Sequence, residues 1–334
     1  MGILFLNDEK FIYEYDKFNL NNFKFQNGEI LEDVTVEFIL KGTPKHDDEG
    51  NIINAVIYCP NYDRNCFSIN DYPHLTDPGT PFDLNKFFII SITSLGVPDS
   101  CCPSTTGLKY HFPKYDCLDK VNCKKQFLKE KLNIEKVQAV VGRGMGGYEV
   151  YTWACEYPDD MDFIMVANSS FKTNGYRYVI AKGIESIIDS SKDFYSDIYD
   201  ESLTKTMITI NKILYSQYFS KRIFQEMTNN EIDVLMDEFV EQGLFIDIYD
   251  YNLQNEAILN YDVEDKLSNV KAKTLVLSPY DDLYFTPEFD TVPLKNLIDD
   301  CEIVVLSTNE DKSREIYFKE LINVLNSFLK KIEK

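Results

Sequence analysis

The residues with the clearest chemical meaning are Gly142-Arg143-Gly144-Met145-Gly146-Gly147, which follow the valine-rich run Val137 to Val141. Such a short apolar run reads as a buried strand. Tyr148, Tyr151, Thr152 and Cys155 then recur at helical spacing, and Pro158 closes the segment. Strand, glycine turn and helix make the layout of a nucleophile elbow, G-x-S-x-G, which exposes a serine for acyl chemistry. Here the serine position is Gly144, which has no side chain to attack with. The backbone still has something to offer. The amide of Met145, with one from the loop after Cys59 near Asn61 or Tyr62, would form a pair of donors at a helix start. That predicts a cradle for a small carboxylate or acyl group, to which Arg143 could add charge.

Gly142-x-Gly144-x-x-Gly147 also fits the dinucleotide fingerprint, which needs an acid at the end of the next strand to hold a ribose. That strand ends at Ala167-Asn168-Ser169, while Asp159, Asp160 and Asp162 precede it. Several strands also come before the motif. No cofactor is therefore expected. The three histidines, His46, His74 and His111, lack ligand spacing, and the eight cysteines include no C-x-x-C pair, so no metal site is expected. Cys101 and Cys102 stand in a loop that could reach a pocket mouth. Cys155 lies about three turns into the helix and reads as a core thiol.

These groups need a scaffold, and 334 residues can bury a large core. A net charge of −21 argues against nucleic acid and anionic membrane as partners. The longest apolar runs, such as Phe87 to Ile90, are far too short to span a bilayer. The N-terminus meets acid at once instead of carrying a basic region, so a cytoplasmic protein with reduced thiols is expected. Strands are predicted over 34–40, 55–59, 87–92, 137–141, 163–167, 274–277 and 303–306, with a hairpin tip at 45–51. Asp116 caps a helix that reaches Leu132, and a closing helix runs from about Ser313 to Lys330. Long loops fill 61–85 and 93–115, a length usually tied to function. Strands alternating with helices predict a mostly parallel sheet flanked by helices. The division predicted is a core over 1–183 and 264–334, with a helical cap over 184–263.

The ordered motifs resemble one family. The run Val141 to Gly147, then Trp153-Ala154 and Tyr157-Pro158-Asp159, is similar to the homoserine O-acetyltransferase group of α/β-hydrolases. So are Asn54 to Cys59, Thr93 to Gly96, Pro103-Ser104, Phe112-Pro113, and Asp282-Leu-Tyr-Phe-Thr-Pro-Glu288. The resemblance spans roughly residues 50 to 334 and is weakest in the helical part. It implies an α/β-hydrolase fold, acyl transfer through a serine, histidine and aspartate triad, and a homodimer. By this resemblance Asp282 takes the aspartate position, with Asp281 one residue away. The histidine position, set by Ser307, falls on Asp311, or on Glu310 if the register slips. No histidine follows His111. The family's arginine for a substrate carboxylate maps to Glu185, with Lys182 one turn earlier as a substitute. Ser169 and Ser170 are stand-in nucleophiles only by proximity in sequence.

The expectation is a non-catalytic protein that has lost the serine and histidine and binds a small acyl or carboxylate ligand or a protein partner. The expected ligand-binding residues are Asn61, Tyr62, Arg143, Met145 and Lys182. The alternative is an acyltransferase or hydrolase that works through Asp282 and Asp311 or Glu310 as paired carboxylates, one of them with a raised pKa.

Overall fold

A computed structural model describes residues 3–4, 12–196, 201–307 and 314–332. Among the described residues, nine strands form one sheet in the order β1-β2-β3-β5-β4-β6-β7-β8-β9. They are β1 Ile3–Leu4, β2 Ile12–Lys24, β3 Ile30–Gly42, β4 Ala55–Cys59, β5 Phe88–Ile92, β6 Val137–Arg143, β7 Met161–Ala167, β8 Lys273–Pro279 and β9 Cys301–Leu306. From β5 to β9 every pairing is parallel, whereas β1, β2 and β3 join antiparallel. Parallel strands are covered on both faces and so read as continuous apolar runs. That is why β4, β5 and β6 stand out in the sequence.

The antiparallel end is larger than its sequence suggests. β2 and β3 are thirteen-residue strands paired along their length. Asn, Asp and Lys interrupt the alternation of β2, and cross-strand pairing outweighs their low strand preference. The run 45–51 does turn tightly, closed by the His46–Ile52 bridge and by Asp47 accepting from the Glu49 and Asn51 amides. The stretch 61–85 is not all loop, since it holds a 3-10 turn, Cys66–Asp71, and a short helix, Pro73–Thr76.

Two apolar layers flank the sheet. On one face, helix Cys117–Leu132 and the elbow helix Met145–Glu156 bury Phe127, Val150 and Trp153. Asp116 caps the first of these by accepting from the Asp119 amide. On the other face, Phe163 and Leu275 meet Leu325 and Phe328 of the closing helix, Arg314–Ile332. Among the described residues, helices Gly175–Asp189 and Glu201–Tyr215 bring Ile184, Ile188, Leu203, Met207 and Ile210 into a separate apolar cluster, which Ile248 and Tyr249 of helix Ile248–Leu259 complete. No helix among the described residues is long and apolar enough to cross a membrane.

One buried carboxylate ties the helical segment to the loop after β5. Asp250, on helix Ile248–Leu259, accepts from the Ser104 amide at 2.8 Å and the Ser104 hydroxyl at 2.6 Å. Burial nevertheless pushes this carboxyl up to about 6 from an ordinary 3.8. Between pH 4 and 6 the unfolded chain therefore releases a proton that the folded chain keeps, and stability from this group falls as pH rises. An Asp250→Asn variant lacks that titration. Its stability relative to the parent, read by urea denaturation, should rise between pH 4 and pH 7 by at most about 3 kcal/mol. A difference that stays flat or falls across that window would show that Asp250 is not held protonated.

Candidate functional site

The site is built where β6 turns into the elbow helix. Gly144 sits at the apex with φ 57° and ψ −125°, a conformation that strongly favours glycine. Its amide donates to the Ala167 and Asn168 carbonyls at 3.1 and 3.0 Å, and its carbonyl accepts from the Ser169 hydroxyl at 2.6 Å. Behind it, a Cβ on Gly146 would lie 2.1 Å from the Cys59 carbonyl oxygen, so only glycine lets the helix start this close to β4. The strained turn of a nucleophile elbow is therefore complete in its backbone.

The space over Gly144 is filled from another loop. A Cβ built on Gly144 would stand 2.3 Å from Asn61 Oδ1. That same oxygen accepts from the Met145 amide at 2.9 Å, and Asn61 Nδ2 donates to Asp63 Oδ1 at 2.7 Å. The anion cradle expected at Met145 and Asn61 is thus occupied by the chain's own carboxamide. Tyr62 instead turns its ring towards Tyr251, 6.1 Å away.

A cavity of about 860 Å³ opens above the C-terminal ends of the strands and runs down towards the closing helix. Asn61, Tyr62, Arg143, Gly144, Met145 and Asp282 all line it. Asp282 is fixed by neutral donors: Asn168 Nδ2 at 2.8 Å on one oxygen, and the Tyr284 and Phe285 amides at 2.9 and 2.8 Å on the other. Arg143 stays exposed, with Nη1 3.3 Å from the Tyr72 hydroxyl. Asp311 and Glu310 lie outside the described residues.

Other expected groups are elsewhere. Lys182 pairs with Glu185 on an exposed helix face and does not line the cavity. The buried cation of that segment is Arg177, which is turned away from the cavity. It grips Asp290 at 2.6 Å and donates to the Tyr284 carbonyl at 2.9 Å, so it positions the loop that carries Asp282. Sequence reading missed this residue, because its partner lies 113 positions away. Cys101 and Cys102 do not reach the pocket mouth. They are 2% and 0% exposed, and burial raises their thiols to about 12 and about 11. Cys155 is likewise buried, with its thiol near 12. At neutral pH these are thiols, not nucleophilic thiolates. Ser169 holds the elbow carbonyl, and Ser170 lies between Arg177 and Asp290.

His74 does line the cavity, from the short helix Pro73–Thr76, with its ring 4.2 Å from that of Phe318. Its position in the chain gave no hint of this. No group of three or more metal-binding side chains occurs among the described residues.

If Asn61 stands in the space of a missing side chain, the two positions must be energetically coupled. Gly144→Ala should cost about 1 to 3 kcal/mol for a side chain at this φ, plus the displacement of Asn61. In an Asn61→Ala background the displacement cost disappears. A double-mutant cycle by denaturation should therefore show coupling of about 0.5 kcal/mol or more. Additive effects would mean that Asn61 leaves that space open.

No family model matches the chain. A probable acyltransferase of Methanothermobacter thermautotrophicus is 35% identical over 291 residues, covering 87% of this chain and 90% of its own. A homoserine O-succinyltransferase of Marinobacter nauticus is 27% identical, covering 76% of this chain and 68% of its own. Among solved structures, an acetylester hydrolase from Corynebacterium glutamicum superposes with a TM-score of 0.83 at 19% identity, covering 96% of both chains. A homoserine O-acetyltransferase from Bacillus anthracis gives 0.80 at 18% identity, covering 94% of this chain and 98% of its own. The sheet order, the elbow and this relatedness agree: the chain belongs to the homoserine O-acyltransferase-like family of α/β-hydrolases.

Proposed function

We propose that this protein is a non-catalytic member of its family, one that has given up acyl transfer and keeps the cavity as a binding site for a small molecule. The observation that carries this reading is the Asn61 carboxamide. It lies in the space of the absent nucleophile and uses the Met145 amide that would otherwise stabilise an oxyanion. Serine attack needs a hydroxyl at position 144, and that position has no side chain. Loss of triad members costs several powers of ten, and the residual catalysis usually left comes from the oxyanion donors. Here one of those donors is already bonded within the chain.

Two further features support the reading. The buried thiols are protonated at neutral pH, which removes them as substitute nucleophiles. Ser169 and Ser170 are engaged in holding the elbow and the Asp282 loop. The paired-carboxylate alternative has only Asp282 among the described residues, and its oxygens already accept three hydrogen bonds.

Purified protein should give no turnover above background with acetyl-CoA plus homoserine, or with p-nitrophenyl acetate. Gly144→Ser with Asp311→His should remain inactive while Asn61 is in place. Adding Asn61→Ala is the change expected to bring the first measurable ester cleavage. Turnover by the wild-type chain that disappears in Asp282→Asn would overturn the non-catalytic reading and favour the paired-carboxylate mechanism.

A further inference from the structure

We propose that the deep arm of the cavity, between the sheet and the closing helix, holds an unbranched alkyl chain of roughly eight to twelve carbons that ends in an uncharged polar group. This rests on the non-catalytic reading, in which the cavity is kept as a binding site, and names the class of ligand.

The walls of the arm carry the inference. Ile89 of β5, Val56 of β4, Val141 of β6, Met165 of β7 and Leu277 of β8 all line the cavity. All five belong to the face of the sheet that packs against the closing helix. Their strands are consecutive neighbours in the sheet. At about 4.8 Å between strands the row is about 19 Å long, which suits a chain and exceeds a short acyl group. Leu321 and Leu325, four residues apart on the closing helix, line the same space. Among the described strand residues of the lining only Tyr58 and Arg143 are polar, and Arg143 lies at the exposed end of β6. The connection from β4 to β5 adds Leu75 and Phe82 together with Tyr72 and His74.

A second observation shows that the protein does not fill this space itself. β6 lies inside the sheet, paired in parallel with β4 and β7, where both faces are normally covered. Yet Val141 is only half-buried, as are Ala167 of β7 and Leu321 of the closing helix. Native interiors leave few voids larger than a water molecule, and a void lined by hydrocarbon stays dry and takes an apolar guest.

At the strand ends the cavity is lined by Asn61, Asp281 and Asp282. A carboxylate there would meet a Met145 amide already bonded to Asn61. The guanidiniums of the lining have partners as well: Arg143 donates to the Tyr72 hydroxyl, and Arg64 stands 3.9 Å from Asp63. An uncharged end, such as a hydroxyl, needs no counter-charge.

The test is titration calorimetry of the full chain with 1-butanol, 1-hexanol, 1-octanol and 1-decanol, and with decanoate. Affinity should rise about fourfold per methylene up to 1-octanol or beyond, with one molecule bound per chain. Decanoate should bind about tenfold or more weakly than 1-decanol. Leu321→Trp, which fills the arm from the closing helix, should weaken 1-decanol binding about tenfold or more, and so should Met165→Trp from the sheet. A thermal melt of each variant checks that it folds. The proposal is overturned by an absence of 1-decanol binding, or by an affinity that stops rising at four carbons. Decanoate binding as tightly as 1-decanol, or 1-decanol binding unchanged in a folded variant, would overturn it too. The alcohol series decides the matter even if neither variant folds. The same preparation is assayed with p-nitrophenyl acetate. Absence of both binding and turnover removes this proposal alone, whereas turnover removes the reading beneath it.

Discussion

Everything at the site depends on one backbone turn, the reversal from β6 into the elbow helix at Gly144. It is held at three points by β7 and the residues just after it: the Ala167 and Asn168 carbonyls below and the Ser169 hydroxyl above. Gly146 lets the helix start against the Cys59 carbonyl. Parallel pairing of β4, β6, β7 and β8 sets the spacing of the loops that follow, so Asn61, Gly144, Asn168 and Asp282 converge at one end of the sheet. This scaffold does not require a serine. The turn is fixed by main-chain bonds and packing, and no side chain at position 144 takes part in holding it.

Around this turn lies a second layer of polar fixation. Asn61 bonds both to the elbow amide and to Asp63. Asp282 is oriented by Asn168 and by the amides of its own loop, and Arg177 anchors that loop from beneath through Asp290 and the Tyr284 carbonyl. Removing one member of such a buried ionic network leaves the other charge uncompensated, so each part constrains the next. The cavity above is lined by Asn61, Asn168 and Asp282 at the strand ends and by Tyr251 and Ile258 of helix Ile248–Leu259.

Much of this was legible in the sequence, for identifiable reasons. The parallel strands are short and uniformly apolar, and the glycine spacing at 142–147 has few structural meanings. The elbow and the sheet class followed from these, whereas Asp282 was singled out only by the family resemblance. Contacts between distant loops were not legible. Asn61 meets Met145 across 84 positions, and Gln254 meets Gly96 across 158. No periodicity marks either contact. Arg177 carries no mark in the sequence, because its partner Asp290 lies 113 positions away. The long β2–β3 pair was shortened by its polar residues, since strand preference is set largely by the neighbouring strand. His74 reached the cavity through a short helix inside what reads as a loop.

The central claim is that the elbow amide of Met145 is bonded within the chain and is not available to a ligand. Hydrogen exchange at that amide, followed by nuclear magnetic resonance, tests it most directly. The Met145 amide should exchange slowly in the wild-type protein, keep its resonance when acetate is added, and exchange much faster in Asn61→Ala. Rapid exchange in the wild type, or a Met145 resonance that moves with acetate, would contradict the account.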